Sequence, residues 1–290
     1  MERTREQGPC FYALIAALLR RLPCVYRPAM TQSSVLLEVC CDNIESVARA
    51  CGAGAGRIEL CSALEAGGIT PSTGLIELAT KTATDAAGVP VPVFVLVRPR
   101  GGDFCFSAAE HRVMLRDINA AAGAGAKGVV VGTLTPDGEL DTAAMKELVD
   151  AAHGLGLEVT LHRAVDMCRD PVAAVAASTA LGVDRVLSSG GAACAAEGTE
   201  TLRRMVERAQ SGVRPVVVMA GGGLCAANAA AIVGASGVTE VHGSLRSEEP
   251  CRTRYHREGV SMGSASSEFT VLVCDAAKVG AVVRNLKERR

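Results

Sequence analysis

The sequence predicts a single (β/α)₈ barrel of the TIM type, and three observations predict it. From residue 34 onward, short β-branched runs alternate with Ala-rich helical segments, which is the signature of right-handed βαβ units and a parallel sheet. There are eight such runs, the number that closes into a barrel. The turns leading from helix into strand nearly repeat one another: GAGAGRIEL, GAGAKGVVV, GLGLEVTL, LGVDRVL and GASGVTEV each place Gly where a helix stops.

The eight runs are Val35–Asp42, Arg57–Ser62, Pro92–Pro99, Gly128–Thr135, Glu158–Asp166, Arg185–Gly190, Val216–Gly223 and Glu240–Leu245. Between them, helix-forming composition marks Ile44–Gly54, Ser107–Gly123, Thr142–Leu155, Pro171–Gly182, Gly198–Ser211 and Ala226–Gly234. An open doubly wound sheet is the competing architecture. It calls for a G-x-G-x-x-G loop after the first strand, and Cys40-Cys41-Asp42-Asn43 does not supply one. The tail from Ser247 to Arg290 reads as a polar loop followed by a last helix-like segment.

The organisation is thus an N-terminal extension at 1–33 and a barrel domain at 34–290. Within the extension, the apolar run Cys10–Leu19 is too short to cross a bilayer. Glu2 and Glu6, with no clear small-residue cleavage site, argue against a signal or transit peptide. Met30 offers an alternative start, which leaves open whether 1–29 is a targeting segment or an upstream-start artefact.

The formal net charge of −1 gives no electrostatic case for nucleic acid or an anionic membrane as partner. Twelve cysteines in 290 residues invite a disulfide reading, but Cys40, Cys61, Cys168 and Cys225 lie in or beside apolar runs of a large domain, and there is no C-x-x-C or zinc-site spacing. A reducing compartment follows.

Side chains two apart on a strand share a face. By that parity strand one offers Glu38, Cys40 and Asp42, strand two Glu59 and Cys61, and strand three Arg98 and Arg100. Strand five offers His162 with Arg163 and Asp166 following, and strand eight His242, Ser244 and Arg246. Ionisable groups are costly in a barrel interior unless paired or used. Their convergence at C-terminal strand ends is where sites of this architecture are built. A purely structural alternative stands beside this: Glu59 with Arg98, or Glu38 with Arg100, as buried ion pairs that fix strand register.

Two chemistries fit. Cys40 and Cys61 share inward parity on neighbouring strands about 4.8 Å apart, so two thiolates can face one soft ion, and thiolates favour Cu(I) over Mg²⁺ or Ca²⁺. The alternative is two core thiols. The second chemistry is an enzyme of isomerase or aldolase type acting on a small phosphorylated or carboxylated metabolite. There Arg98, Arg100, Ser189, Gly221, Gly222, Gly223 and Arg246 bind the anion, the glycines preceding a helix N-terminus. Glu59, His162 or Asp166 move protons.

The runs LEVCCDNIES, RIELCSALEAGGITPS, VRPRGGDFCFS, LHRAVDM, RVLSSGG, VMAGGG and VHGSLR, in this order, closely resemble the CutC copper homeostasis family, from about Leu36 to the C-terminus. The resemblance implies a TIM-barrel-like fold, self-association as a homo-oligomer, a cytoplasmic or nuclear location and Cu(I) binding. It places the family's copper-binding cysteines on Cys40 and Cys61. Cys41 departs from the pattern as an extra thiol on the opposite face. Ala220 stands where Pro is familiar, and Gly243 where some relatives carry Cys.

Overall fold

The computed structural model describes residues 35–211, 214–257, 259–260 and 269–288. The extension assigned to 1–33 lies outside them. Eight parallel strands close into one barrel in chain order. They are β1 (Leu36–Cys41), β2 (Arg57–Leu60), β3 (Val93–Leu96), β4 (Gly128–Val131), β5 (Glu158–Leu161), β6 (Arg185–Ser188), β7 (Val217–Gly221) and β8 (Glu240–Gly243), with β8 pairing back onto β1.

Helices follow the strands: α1 (Ile44–Gly52), α2 (Thr73–Thr82), α3 (Ala108–Gly123), α4 (Thr142–Gly154), α5 (Pro171–Leu181), α6 (Thr199–Gln210) and α7 (Ala226–Ser236). Most begin on a side chain able to satisfy their free N–H groups. Asn43, Ser72, Ser107, Asp141 and Asp170 each accept a backbone N–H in the first turn. Ser107 and Glu110 do so reciprocally, and Pro171 occupies the first turn of α5, where its missing N–H costs nothing. Gly182 and Gly237 end α5 and α7 in the left-handed region.

Three features depart from the sequence reading. The helix α2 was not singled out. The tail after β8 opens with an antiparallel pair, β9 (Arg246–Pro250) and β10 (Thr270–Cys274), before the last helix α8 (Ala276–Glu288). The strands also stop sooner than their apolar runs. The run Glu158–Asp166 is strand only to Leu161, and Arg163–Met167 is a 3₁₀ turn.

The main core lies between sheet and helices, where the outward-facing Val39, Cys41, Ile58, Leu60, Val95 and Val129 meet the helices' apolar stripes. Inside the barrel a smaller apolar cluster contains Cys40, Cys61, Phe94, Leu96 and Val130. Strand alternation therefore sends Cys40 inward and Cys41 outward. The ten described cysteines are all unpaired, and among the described residues no helix is long and apolar enough to cross a membrane.

A candidate site in the barrel mouth

Below the mouth, the inward side chains nearest the N-terminal strand ends form a closed ionic layer. Arg57 donates to Glu38 and Glu240, while Arg185 donates to Glu240 at 2.6 Å, to Glu158 at 3.3 Å and to Thr160 at 3.2 Å. Both guanidiniums lie 5.2 Å from the Phe94 ring centroid, a cation–π distance. Burial alone pushes the Glu38 carboxyl up, but Arg57 and a hydrogen bond from His242 hold it well below the ordinary range. The ion-pair alternative read from the sequence thus exists with other members: Glu38 pairs with Arg57, not Arg100, and Arg98 pairs with neither glutamate.

Above this layer the mouth opens as a cavity of about 320 Å³, lined among others by Cys40, Glu59, Arg98, Phe104, His162, Gly222 and His242. The direct neighbour of Cys40 across the β1–β2 ladder is Glu59, and Cys61 follows two residues on, just past the strand. Strand tilt brings the sulfurs together diagonally, with Sγ–Sγ at 3.7 Å. Cys61 is fully buried, and Gly68 is placed above it so closely that a Cβ there would approach Cys61 Sγ to 3.7 Å and the Leu96 side chain to 2.7 Å. Ligand atoms of Cys40, Glu59 and His242 all fall within 4.8 Å of one another.

His242 spans two carboxylates. Its Nδ1 is 2.8 Å from Glu38 Oε1 and its Nε2 is 3.5 Å from Glu59 Oε2. Burial pulls the imidazole pKa down, but Glu59 and Glu38 outweigh it and the net shift is upward. Burial raises the Glu59 carboxyl, with His242 opposing. The hydrogen bond to Cys61, burial and the neighbouring Glu59 push the Cys40 thiol well above 9.

On the far wall, His162 Nδ1 accepts the Ala164 N–H at 3.1 Å, so in the neutral ring the proton sits on Nε2. That Nε2 is buried with no partner among the described residues. Burial and nearby Arg98 lower the ring's pKa to about 3. The ring has room because Gly132 follows β4, and a Cβ there would meet His162 Cε1 at 2.4 Å. Arg98 donates to the carbonyls of Gly68 at 2.8 Å, Gly102 at 2.9 Å and Ala66 at 3.4 Å, and its Nε is also buried and unpartnered.

The remaining candidates sit elsewhere. Arg100 turns away to Glu110 at 2.6 Å and Asp103 at 3.0 Å, bracing the start of α3. Arg246 belongs to β9 and faces Asp42 at 3.5 Å. Asp166 is not a mouth group, because the strand ends before it. Its carboxylate accepts from the Ser188 and Ser189 hydroxyls, the Ser189 and Gly191 N–H groups and Arg163, which ties the loop after β6. The Ser189 hydroxyl has one proton to share between Asp166 and Ala192 O, accepts from Arg163, and is spent in that knot. Of the three glycines, Gly222 and Gly223 line the cavity. Gly221 gives its space to Leu187 and His242, which a Cβ would meet at 2.6 and 3.1 Å.

Parity identified the strand-borne members but missed Phe104 and the 64–68 loop, which come from connections that no periodicity marks. His242 was legible as an inward group; its two carboxylate partners were not.

The sequence profile of the CutC family matches residues 35–247. The chain belongs to the CutC family. A CutC family protein of Vibrio vulnificus is 43% identical over 255 residues, covering 88% of this chain and 98% of the relative. The mouse protein named copper homeostasis protein cutC homolog is 42% identical over 246 residues, covering 84% of this chain and 86% of its own. The crystal structure of the CutC protein from Streptococcus agalactiae superposes with a TM-score of 0.66 at 32% identity, over 72% of this chain and 98% of that one. Thiamine phosphate pyrophosphorylase from Pyrococcus furiosus, at 15% identity and TM-score 0.52, shares the barrel fold alone.

Proposed function

We propose that this CutC-family protein binds Cu(I) through Cys40 and Cys61 inside the barrel mouth. The carrying observation is the pair of sulfurs 3.7 Å apart in an apolar cluster, a soft donor set shielded from water. With metal–sulfur bonds of about 2.3 Å, that separation subtends about 107° at the ion, too bent for two ligands alone. His242 and Glu59 stand beside Cys40, not Cys61, as further donors, the His242 Nδ1 held against Glu38. The Cys40 thiol is protonated in the resting site, so the ion enters by displacing protons, and Glu59 stands against the sulfur to receive one. The mammalian relatives' name, copper homeostasis protein, agrees with this reading.

The test is a Cu(I) titration against a competing chelator. Wild-type protein is expected to take up one equivalent, and the C40S/C61S double variant none, with the far-ultraviolet circular dichroism of the barrel unchanged. Undiminished uptake by the folded double variant removes the assignment.

A second reading rests on a different observation, the chain Glu38–His242–Glu59 beside two unsatisfied donors. In it the mouth performs proton transfer on a small anionic metabolite, with Glu59 and His242 as the acid–base pair and His162 as a donor. Solvent deuterium incorporation into a bound ligand, lost in Glu59→Gln, is its expected signature.

A further inference from the structure

We infer that the mouth holds the oxyanion of a small ligand, a carboxylate or phosphate group, between the Nε–H of Arg98 and the Nε2–H of His162. Both side chains are 6% exposed, both line the same cavity, and each carries a buried donor without a partner. These are donor-only groups in the states the structure gives them: a guanidinium has no acceptor atom, and His162 has already used its acceptor on Ala164. What satisfies them must present acceptors on both sides.

Charge narrows the occupant further. The other guanidiniums at these strand ends are neutralised: Arg57 and Arg185 by glutamates, Arg163 by Asp166 at 2.8 Å, Arg246 by Asp42 and Arg100 by Glu110 and Asp103. Arg98 pairs with no carboxylate among the described residues and leans only on three backbone carbonyls. A water molecule filling the gap answers the hydrogen bonds but leaves the buried positive charge uncompensated. An oxyanion answers both, and an arginine Nε edge is the geometry that binds one.

The cavity is built around this pair. Phe104 is a shared wall, its ring centroid 4.9 Å from that of His162 and 5.0 Å from Arg98 Cζ. Gly222 keeps the opposite side low, since a Cβ there would come within 3.4 Å of the Arg163 guanidinium. Leu64, Leu96, Leu187 and Leu224 supply apolar surface for a short carbon skeleton. A volume of about 320 Å³ is at the lower end of small-molecule sites, roughly 300–1,000 Å³. The inference names the substrate class and anchor for the proton-transfer reading, but binding itself does not need that chemistry.

The experiment is calorimetric titration of the full chain with pyruvate, glycerol 3-phosphate and inorganic phosphate at low ionic strength. At least one is expected to saturate a single site in wild-type protein, and which one does so separates carboxylate from phosphate. Arg98→Gln should weaken it about tenfold or more, as loss of a charge-assisted hydrogen bond does. Arg100→Gln, outside the mouth, should bind like wild type. Because Arg98 also braces two loops, the wild-type protein is followed separately by nuclear magnetic resonance with ¹⁵N-labelled histidine, where the His162 Nε2 resonance must shift on saturation. Absence of saturable binding by all three probes, or binding that leaves both Arg98→Gln affinity and the His162 resonance unmoved, overturns the proposal. Saturable binding with the resonance shift but without deuterium incorporation sustains the anion site and removes the proton-transfer reading.

Discussion

Both inward layers of the barrel carry arginine and glutamate, and they differ in whether their charges are closed. In the lower layer Arg57 and Arg185 share Glu38, Glu240 and Glu158, and every guanidinium meets a carboxylate. In the upper layer, among the described residues, Arg98 meets carbonyls and the Phe104 ring but no carboxylate, and His162 keeps a donor without a partner. Burying a charge costs several kcal/mol unless it is paired. A layer that closes its charges spends them on register, whereas one left open is unfinished without an occupant. The protein thus carries a closed end and an open end within a few residues of each strand.

The largest test of that contrast removes one arginine from each layer. Arg57→Leu strips buried Glu38 of its guanidinium, leaving it His242 alone, and leaves Glu240 to Arg185; it is expected to cost about 3–5 kcal/mol in urea unfolding. Arg98→Leu orphans no carboxylate and should cost about 1–3 kcal/mol, the loss of its carbonyl hydrogen bonds. Equal costs would break the distinction.

A smaller effect comes from two glycines of one strand run. A Cβ on Gly128 meets the Phe94 ring at 2.2 Å, while one on Gly132 meets His162 at 2.4 Å. Overpacking costs about 1–3 kcal/mol. Gly128→Ala should fall at the top of that range, because Phe94 is held among Arg57, Arg185 and the apolar cluster, and Gly132→Ala at the bottom, because the cavity beside His162 gives the ring somewhere to go. The reverse order in thermal or urea denaturation contradicts an open upper layer.

The last effect is a slope. His162 titrates at about 3 in the folded protein against about 6.5 when unfolded. Between those values the unfolded chain binds the extra proton, so stability is full above about pH 6.5 and falls as pH drops toward 3. His162→Gln should remove a term of about 1.4 kcal/mol per pH unit well below pH 6.5. Urea midpoints from pH 7 to 5 read it, and an unchanged slope shows that His162 is not held neutral.

Much of this was legible in the sequence because a strand has only two faces. Glycine-ended helices and eight β-branched runs set the barrel, and parity alone sent Cys40, Glu59 and His242 inward. Parity failed where the strand itself failed. Asp166 was assigned to the mouth as though β5 ran on to it, but the chain turns at Arg163 and the carboxylate closes a loop. Arg100 was lost in the same way, just beyond the end of β3. Nor does alternation say which charges pair. Glu38 and Glu59 look alike in LEVCC and RIELC, yet Arg57 claims one, and the other is left against a thiol.

The depth of the two sulfurs has its own consequence. Cys40 borders the cavity, whereas Cys61 lies sealed behind it under the Gly68 turn, and the arginine–glutamate floor closes the route from beneath. On the Cu(I) reading proposed above, an incoming ion therefore encounters Cys40 before Cys61. On that same reading, capture and retention fall to different cysteines: the outer one governs how fast copper is taken, the inner one how slowly it leaves.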